Sequence, residues 1–330
     1  MGGMDGTRFD VVGIGNAIVD VIAQAEDSFL DRNGLIKNEM RLMDAAEAER
    51  LYGQMGPGLE MSGGSAGNTM AGIASLGGRG AFIGKVADDQ LGRVYRHDIR
   101  AAGVTFDTAD LTDGTPTGRC LILVTPDAHR TMSTFLGACN KLTPADVDAA
   151  TVQAAQVTYL EGYLWDPPEA KEAFLKAAQI AHAAGRKVAL SLSDSFCVHR
   201  HHDSFLALVE GHVDILFANE SEICALYGTD WDEAVRAVAG HCEVAVLTRS
   251  EKGAVIQAGG ESHAVPAMTF GPVVDTTGAG DLYAAGFLYG YTNGKPLPEA
   301  GRLGAMAAGE IIGHFGARPQ KSLAQLAAAL

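Results

Sequence analysis

Basic patches, paired cysteines and membrane-length apolar runs are missing from this sequence, and each absence argues against a class of function. The 330 residues carry 25 Lys and Arg against 40 Asp and Glu, a net charge of −15. A nucleic-acid binder shows a clustered positive face, and the short stretch His199-Arg200-His201-His202 is too small to be one. Anionic ligands must be met by local backbone amides, single Arg or Lys side chains or a metal, not by the global field. The five cysteines (Cys120, Cys139, Cys197, Cys224 and Cys242) are odd in number and form no C-x-x-C pair. That argues against a disulfide framework or a zinc ribbon and for reduced thiols. No run of about 20 apolar residues could cross a membrane, and Met1–Asp10 has no apolar core of a signal peptide. The expectation is a cytoplasmic protein acting on a small molecule, with no nucleic-acid and no membrane partner.

What is present is a chain 47% hydrophobic and 20% charged, ample for one large domain or a domain with a smaller appendage. Apolar, strand-like runs at 10–15, 81–86, 157–160, 187–191, 215–218 and 244–248 alternate with helical patterns at 91–102, 169–184, 220–227 and 233–241. This alternation predicts an α/β fold: a doubly wound, mostly parallel sheet flanked by helices. Ligands of such sheets bind at the carboxyl ends of the strands. Segments 17–43 and 106–135 break the pattern with alternating stretches such as Cys120-Leu-Ile-Leu-Val124 and turns at Asp113-Gly114 and Pro126-Asp127. They are expected to form a small inserted β-sheet lid, with 1–16, 44–105 and 136–330 making the large nucleotide-binding and catalytic domain. The tail from Gly278 to Leu330 is expected to be helical.

The most informative motif is Asp275-Thr-Thr-Gly-Ala-Gly-Asp281, between an extended stretch and a helical pattern. Gly278, Ala279 and Gly280 let backbone amides close on an anion, and the helix start adds free N–H groups and the positive end of its dipole. Asp281 beside that cradle suits a base that takes a proton from an alcohol attacking a phosphoryl group. Alone, the motif could be a capped helix. A second glycine-rich helix start, Gly63-Gly-Ser-Ala-Gly-Asn68, adds a substrate side. Asp20 and Asn68 offer groups suited to vicinal hydroxyls, with a capped strand end or turn as the plain alternative. For Glu222 and Arg130, taken singly, the plain reading is a surface charge.

Other partial motifs lead nowhere. Gly63-x-Ser65-x-Gly67 satisfies a hydrolase nucleophile elbow, but 54–62 is rich in Gly, Pro and Met and reads as irregular where a strand is required. Gly13-Ile-Gly15 lacks the third glycine of a dinucleotide fingerprint. Gly84-Lys85 lacks the rest of a P-loop. His199, His201, His202 and Asp203 fit no regular metal-ligand spacing.

Taken together, the two glycine motifs resemble those of the ribokinase-like (PfkB) family of carbohydrate and nucleoside kinases, over nearly the whole chain. Asn219-Glu-Ser-Glu222 resembles the family's N-x-x-E motif, and Thr248 to Gly253 its nucleotide-binding loop. Within the family, the branch of adenosine kinases is the nearest match, through Gly15-Asn16-Ala-Ile-Val-Asp20, Gly118-Arg-Cys-Leu-Ile-Leu-Val124, Arg130-Thr-Met132 and Leu136-Gly-Ala-Cys-Asn140. The resemblance implies ATP-dependent phosphorylation of the 5′-hydroxyl of adenosine, a step of purine salvage, with a ribokinase- or fructokinase-type sugar kinase or another nucleoside kinase as the alternative. It implies Asp281 as base, Gly278, Ala279 and Gly280 as anion hole, and Arg130 reaching the transferred phosphate. Asn16, Asp20, Gly64, Ser65 and Asn68 would hold ribose. Asn219 and Glu222 would organise Mg2+, through water, and Thr248, Gly253 and Thr277 would line the nucleotide site. Tyr163, Leu164 and Trp165 follow a strand end and could stack on a purine, with Leu136 and Phe196 contributing. A K+ site is implied near Asp275 and the turn 313–317, although Arg318-Pro-Gln320 departs from the ribokinase pattern. Monomer and homodimer both remain open.

Overall fold

The computed structural model of the chain describes residues 6–37, 39–127 and 129–330. Residues 1–5 of the leading stretch, and positions 38 and 128 within the expected lid segments, lie outside the described residues.

The alternating pattern folds into a nine-stranded sheet. Its strands are β1 (Phe9–Ile14), β5 (Gly80–Ile83), β6 (Thr105–Phe106), β9 (Ala155–Glu161), β10 (Lys187–Ser191), β11 (Ile215–Asn219), β12 (Val244–Thr248), β13 (Ala254–Ala258) and β14 (Glu261–Val265). The order across the sheet is β14-β13-β12-β11-β10-β9-β1-β5-β6. Pairing is parallel from β6 to β12, and β13 and β14 add an antiparallel edge hairpin. Parallel strands are buried on both faces, and successive residues take opposite sides. On one side Val11, Val157, Tyr159, Ile215, Phe217 and Val246 pack beneath helices Ser65–Ser75, Ala279–Thr292 and Leu297–Ile311. On the other, Val12, Leu160, Leu190, Leu216 and Leu247 pack beneath helices Pro168–Ala183, His202–His212 and Glu220–Tyr227. The tail is two long helices joined by a turn, followed by a short helix, Leu323–Ala327.

A second sheet has the order β3-β8-β7-β2-β4, with β2 (Ile18–Gln24), β3 (Met40–Leu42), β4 (Gly58–Ser62), β7 (Gly118–Val124) and β8 (Arg130–Phe135). This corrects the expected boundaries. β4 pairs antiparallel with β2, so the small domain runs through Ser62 and does not stop at residue 43. Phe106, assigned to the lid from sequence, belongs to the large sheet, where it pairs with Phe82. The physical reason is that β4 reads as a loop: it is five residues long, starts on Gly58 and is half-exposed. Val19, Val21, Leu121 and Leu123 on one face of the small sheet pack on Leu30, Ala48 and Leu51 of helices Asp27–Arg32 and Ala45–Tyr52. The opposite face looks into a cleft.

The cysteines are free. Among the described residues no helix is long and apolar enough to cross a membrane, and no group of three or more His, Cys, Asp or Glu could hold a metal ion. The histidine stretch is structural: His201 and Arg200 both bond the Asp166 carboxylate, and the His202 ring bonds the Leu226 carbonyl.

Candidate active site

The carboxyl ends of β1, β9, β10, β11 and β12, the two glycine turns and the free face of the small sheet surround one cleft of about 1210 Å³. A pocket for one small molecule is typically ~300–1,000 Å3, so this cleft has room for two ligands side by side.

At its floor, the anion turn enters helix Ala279–Thr292 through Gly278, which has φ +78°. A Cβ on Gly278 would lie 2.9 Å from the Ala317 Cβ, so a side chain is excluded by backbone conformation and by space. The Ala279 amide bonds the Thr276 carbonyl and the Leu282 amide bonds the Gly278 carbonyl. The amides of Gly280 and Asp281 have no backbone partner among the described residues and are free for an anion. Asp281 Oδ1 accepts from Ser65 Oγ at 2.6 Å and Oδ2 accepts from Asn68 Nδ2 at 2.9 Å. The two glycine motifs, 216 and 213 residues apart in these pairs, therefore meet at one carboxylate. Burial raises the Asp281 pKa, opposed by those two hydrogen bonds and by the Arg318 charge.

The acceptor side begins at Gly64, which has φ +83° and lies so close to the Asn16 carbonyl that a Cβ would come within 2.0 Å of it. Asp20 on β2 faces the cleft with no hydrogen-bond partner among the described residues, and burial raises its pKa to about 7 against the pull of Arg318 and Arg130. Asn16 Nδ2 donates to Glu161 Oε1 at 2.7 Å, and the Ala66 amide donates to Glu161 Oε2 at 2.8 Å. Glu161 is 1% exposed, and burial lifts its pKa to about 7. Sequence reasoning missed this residue. Its signal was an acid ending a buried parallel strand at the carboxyl edge, where such sheets place ligands.

The strand ahead of Ser65 corrects the view of 54–62 as irregular, since β4 leads directly into the turn. The hydrolase elbow is still incomplete: Ser65 donates to a carboxylate, and no histidine lines the cleft among the described residues.

Arg130, at the start of β8, is buried, and its Nη1 pairs with Asp275 Oδ2 at 2.8 Å with the guanidinium over the Phe315 ring. Its Nε and Nη2 have no hydrogen-bond partner among the described residues. A buried guanidinium with two idle donors is costly unless an acceptor arrives. Thr277 N and Oγ1 donate to Asp275 Oδ1, and Gly316 N donates to Oδ2. A K+ ion at this carboxylate would share it with Arg130.

Asn219 and Glu222 form a reciprocal capping box at the start of helix Glu220–Tyr227, with Asn219 Nδ2 donating to Glu222 Oε1 at 2.6 Å. Burial raises the Glu222 pKa to about 7. Both residues line the cleft, as do Thr248, Gly253 and Thr277.

The aromatic expectation is corrected. Leu164 and Trp165 are buried in the core on the other side of the large sheet, Trp165 stacked on Phe205 with Nε1 donating to Ser204 Oγ. The short turn Gly162–Trp165 tucks them under helix Pro168–Ala183. Phe196 is 77% exposed and away from the cleft lining. Tyr163 and Leu136 do line it. The apolar wall is the small sheet: Ile18, Met40, Leu42, Cys120, Ile122 and Met132 alternate onto its cleft face.

Compared with known proteins, residues 54–323 match the pfkB family carbohydrate kinase model. The structure is similar to that of adenosine kinase from Sinorhizobium meliloti, with 56% identity over 98% of this chain and 99% of that one and a TM-score of 0.90. It is also similar to a probable sugar kinase protein from Rhizobium etli CFN 42, with 54% identity over 98% of both chains and a TM-score of 0.91. A curated relative, the 5-dehydro-2-deoxygluconokinase of Shouchella clausii (strain KSM-K16), is 28% identical over 98% of this chain and 96% of its own.

Proposed function

Because the chain belongs to the pfkB family of carbohydrate kinases, we propose that it transfers a phosphoryl group from ATP to the 5′-hydroxyl of adenosine, giving AMP and ADP for purine salvage. The observation that carries the choice of a nucleoside over a free sugar is the apolar sheet face of Ile18, Met40, Leu42, Cys120, Ile122, Met132 and Leu136 opposite the polar floor. A free sugar has no apolar ring to cover such a wall, whereas a purine does. The names of the similar proteins include sugar kinases, so a sugar acceptor is the competing reading.

In this mechanism the ribose hydroxyls lie against Asp20, Asn16 and Asn68. Ser65 and Asn68 hold the Asp281 carboxylate by both oxygens, which aims its lone pairs at the acceptor hydroxyl. Asp281 takes the hydroxyl proton as the oxygen attacks. The free amides of Gly280 and Asp281 and the idle donors of Arg130 face the negative charge that develops on the transferred group. When bound, ATP supplies the phosphoryl group and Mg2+ neutralises its oxygens. The residues fit them: the glycine cradle is open, with nothing within 4 Å of a Cβ built on Gly280, and Glu222 offers a buried carboxylate that can hold the water shell of a magnesium ion. Thr248, Gly253 and Thr277 line the nucleotide half. The small sheet acts as a lid that excludes water.

The test is ADP release by the purified chain with Mg·ATP and adenosine, inosine, guanosine, ribose or fructose. Turnover on adenosine with the free sugars inert is expected. Turnover on a free sugar with adenosine inert would overturn the substrate and keep the kinase chemistry.

A further inference from the structure

The glycine turns of the acceptor and anion sides are far apart in sequence, and a third segment, absorbed by neither motif, touches both. Ala317 packs against Gly278 of the anion turn. The next residue, Arg318, grips the acceptor turn. Its Nε and Nη2 donate to the Ser62 carbonyl at 3.1 and 2.9 Å, Nη2 also donates to Ser62 Oγ at 2.9 Å, and Nη1 donates to the Gly67 carbonyl at 2.7 Å. Ser62 in turn donates through N and Oγ to Asp98 at 2.7 and 2.6 Å. The fork geometry of a guanidinium can bridge two carbonyls five residues apart in this way, and an ammonium cannot.

Every acceptor of Arg318 is neutral, and among the described residues no carboxylate forms an ion pair with it. Arg318 is half-buried, and the part of a guanidinium taken out of water without an ion pair is costly; burial lowers its pKa. The carboxylates whose fields reach it are those of Asp98, which bonds Ser62, and of Asp20 and Asp281. We propose that Arg318 is a positioning residue for the phosphoryl acceptor: it fixes the Ser62–Gly67 turn against the anion turn, so that Ser65 and Asn68 meet Asp281, and its charge balances the carboxylates of Asp20 and Asp281. It needs no contact with substrate to do so. The other groups that act on Asp281 are Ser65 and Asn68 by hydrogen bond, with Asp20, Glu161, Tyr159 and Tyr163 sharing its field. Those that act on Asp20 are Arg318, Arg130 and Asp281, with Cys120 and Tyr95 sharing its field. Arg318 opposes the upward pull of burial on both carboxylates, so its loss moves both pKa values up.

This inference rests on the kinase reading for its activity readouts, and a direct titration keeps the two separable. The 13C carboxyl resonances of Asp20 and Asp281 are titrated by NMR in the full chain and in Arg318→Gln, alongside the pH profile of kcat/KM for the phosphate acceptor. Expected is an upward move of both titrations and of the acidic limb by roughly half to one pH unit, with lost activity partly recovered at higher pH. Arg318→Lys keeps the charge and loses the fork: the limb stays, and the acceptor KM rises about tenfold with a smaller change in kcat. Titrations unmoved in Arg318→Gln, or both variants losing activity equally at every pH, overturn the proposal. If Arg318→Gln does not fold, Arg318→Lys decides it: an unchanged acceptor KM overturns the positioning role. An unaltered chain with no turnover on any acceptor would sink the kinase reading, while the NMR titration would still decide the role of Arg318.

Discussion

The floor of the cleft meets its ligand with groups already held in place, whereas the lid opposite offers an apolar sheet face with almost nothing to hold. Asp281 is fixed by Ser65 and Asn68, and Glu161 by Asn16 and the Ala66 amide. On the small sheet, Met40 and Leu42 are 50% and 56% exposed, and Arg130 on the same sheet reaches the floor through Asp275. Directional bonds on the floor fix chemistry, which tolerates little displacement. Dispersion and burial on the lid fix which surface is covered, which tolerates adjustment. The two halves should therefore fail differently when altered.

The largest effect is expected on the floor. Asp281→Asn keeps the shape and both neighbours but removes the base, and kcat should fall about 10²–10⁴-fold with little change in acceptor KM and an unchanged melting temperature. Near-normal kcat in a folded variant would remove Asp281 from the mechanism. On the lid, Met132→Ala should raise KM for adenosine about 10- to 100-fold, the range for lost methylenes in an apolar pocket, and leave kcat close to normal. A loss of kcat with KM unmoved would mean that the lid acts on the chemistry and that the contrast drawn here is wrong. The smallest effect concerns Glu161, which helps build the floor. Its pKa stands near 7 in the folded chain against an ordinary value of 4.5. Between those values the folded chain holds a proton that the unfolded chain has released, so its contribution to stability falls as pH rises through that window. In Glu161→Gln the fall in unfolding free energy from pH 5 to 8, measured by denaturant titration, should be shallower, by about 2.5 kcal/mol at most. Parallel curves for the two chains would show that Glu161 does not titrate there.

The motifs whose chemistry is local were legible in the sequence. The turn 275–281, the Gly63–Asn68 turn and the Asn219–Glu222 capping box each define a conformation within a few residues, through glycine at positive φ or a side chain bonded three residues on. The parallel sheet was legible because its strands are buried on both faces and read as apolar runs. β4 was not, because a half-exposed edge strand leading with glycine has the composition of a loop. The purine-stacking expectation for Leu164 and Trp165 failed for the complementary reason: an apolar residue after a strand end fits a pocket and a core equally well by composition, and here the turn at Gly162 directs both into the core.

The fold class and the conformation of the turn 275–281, which carries Asp281, follow from the sequence alone, since both are written in short-range backbone geometry and in period-two or helical patterning. Which residues meet across the cleft was set by long-range packing. It placed Ser65 and Asn68 on Asp281, Glu161 between Asn16 and Ala66, Arg130 on Asp275, and Arg318 across Ser62 and Gly67. Those contacts join segments more than 90 residues apart, and their distances are set by how helices and sheets pack, which no local pattern encodes.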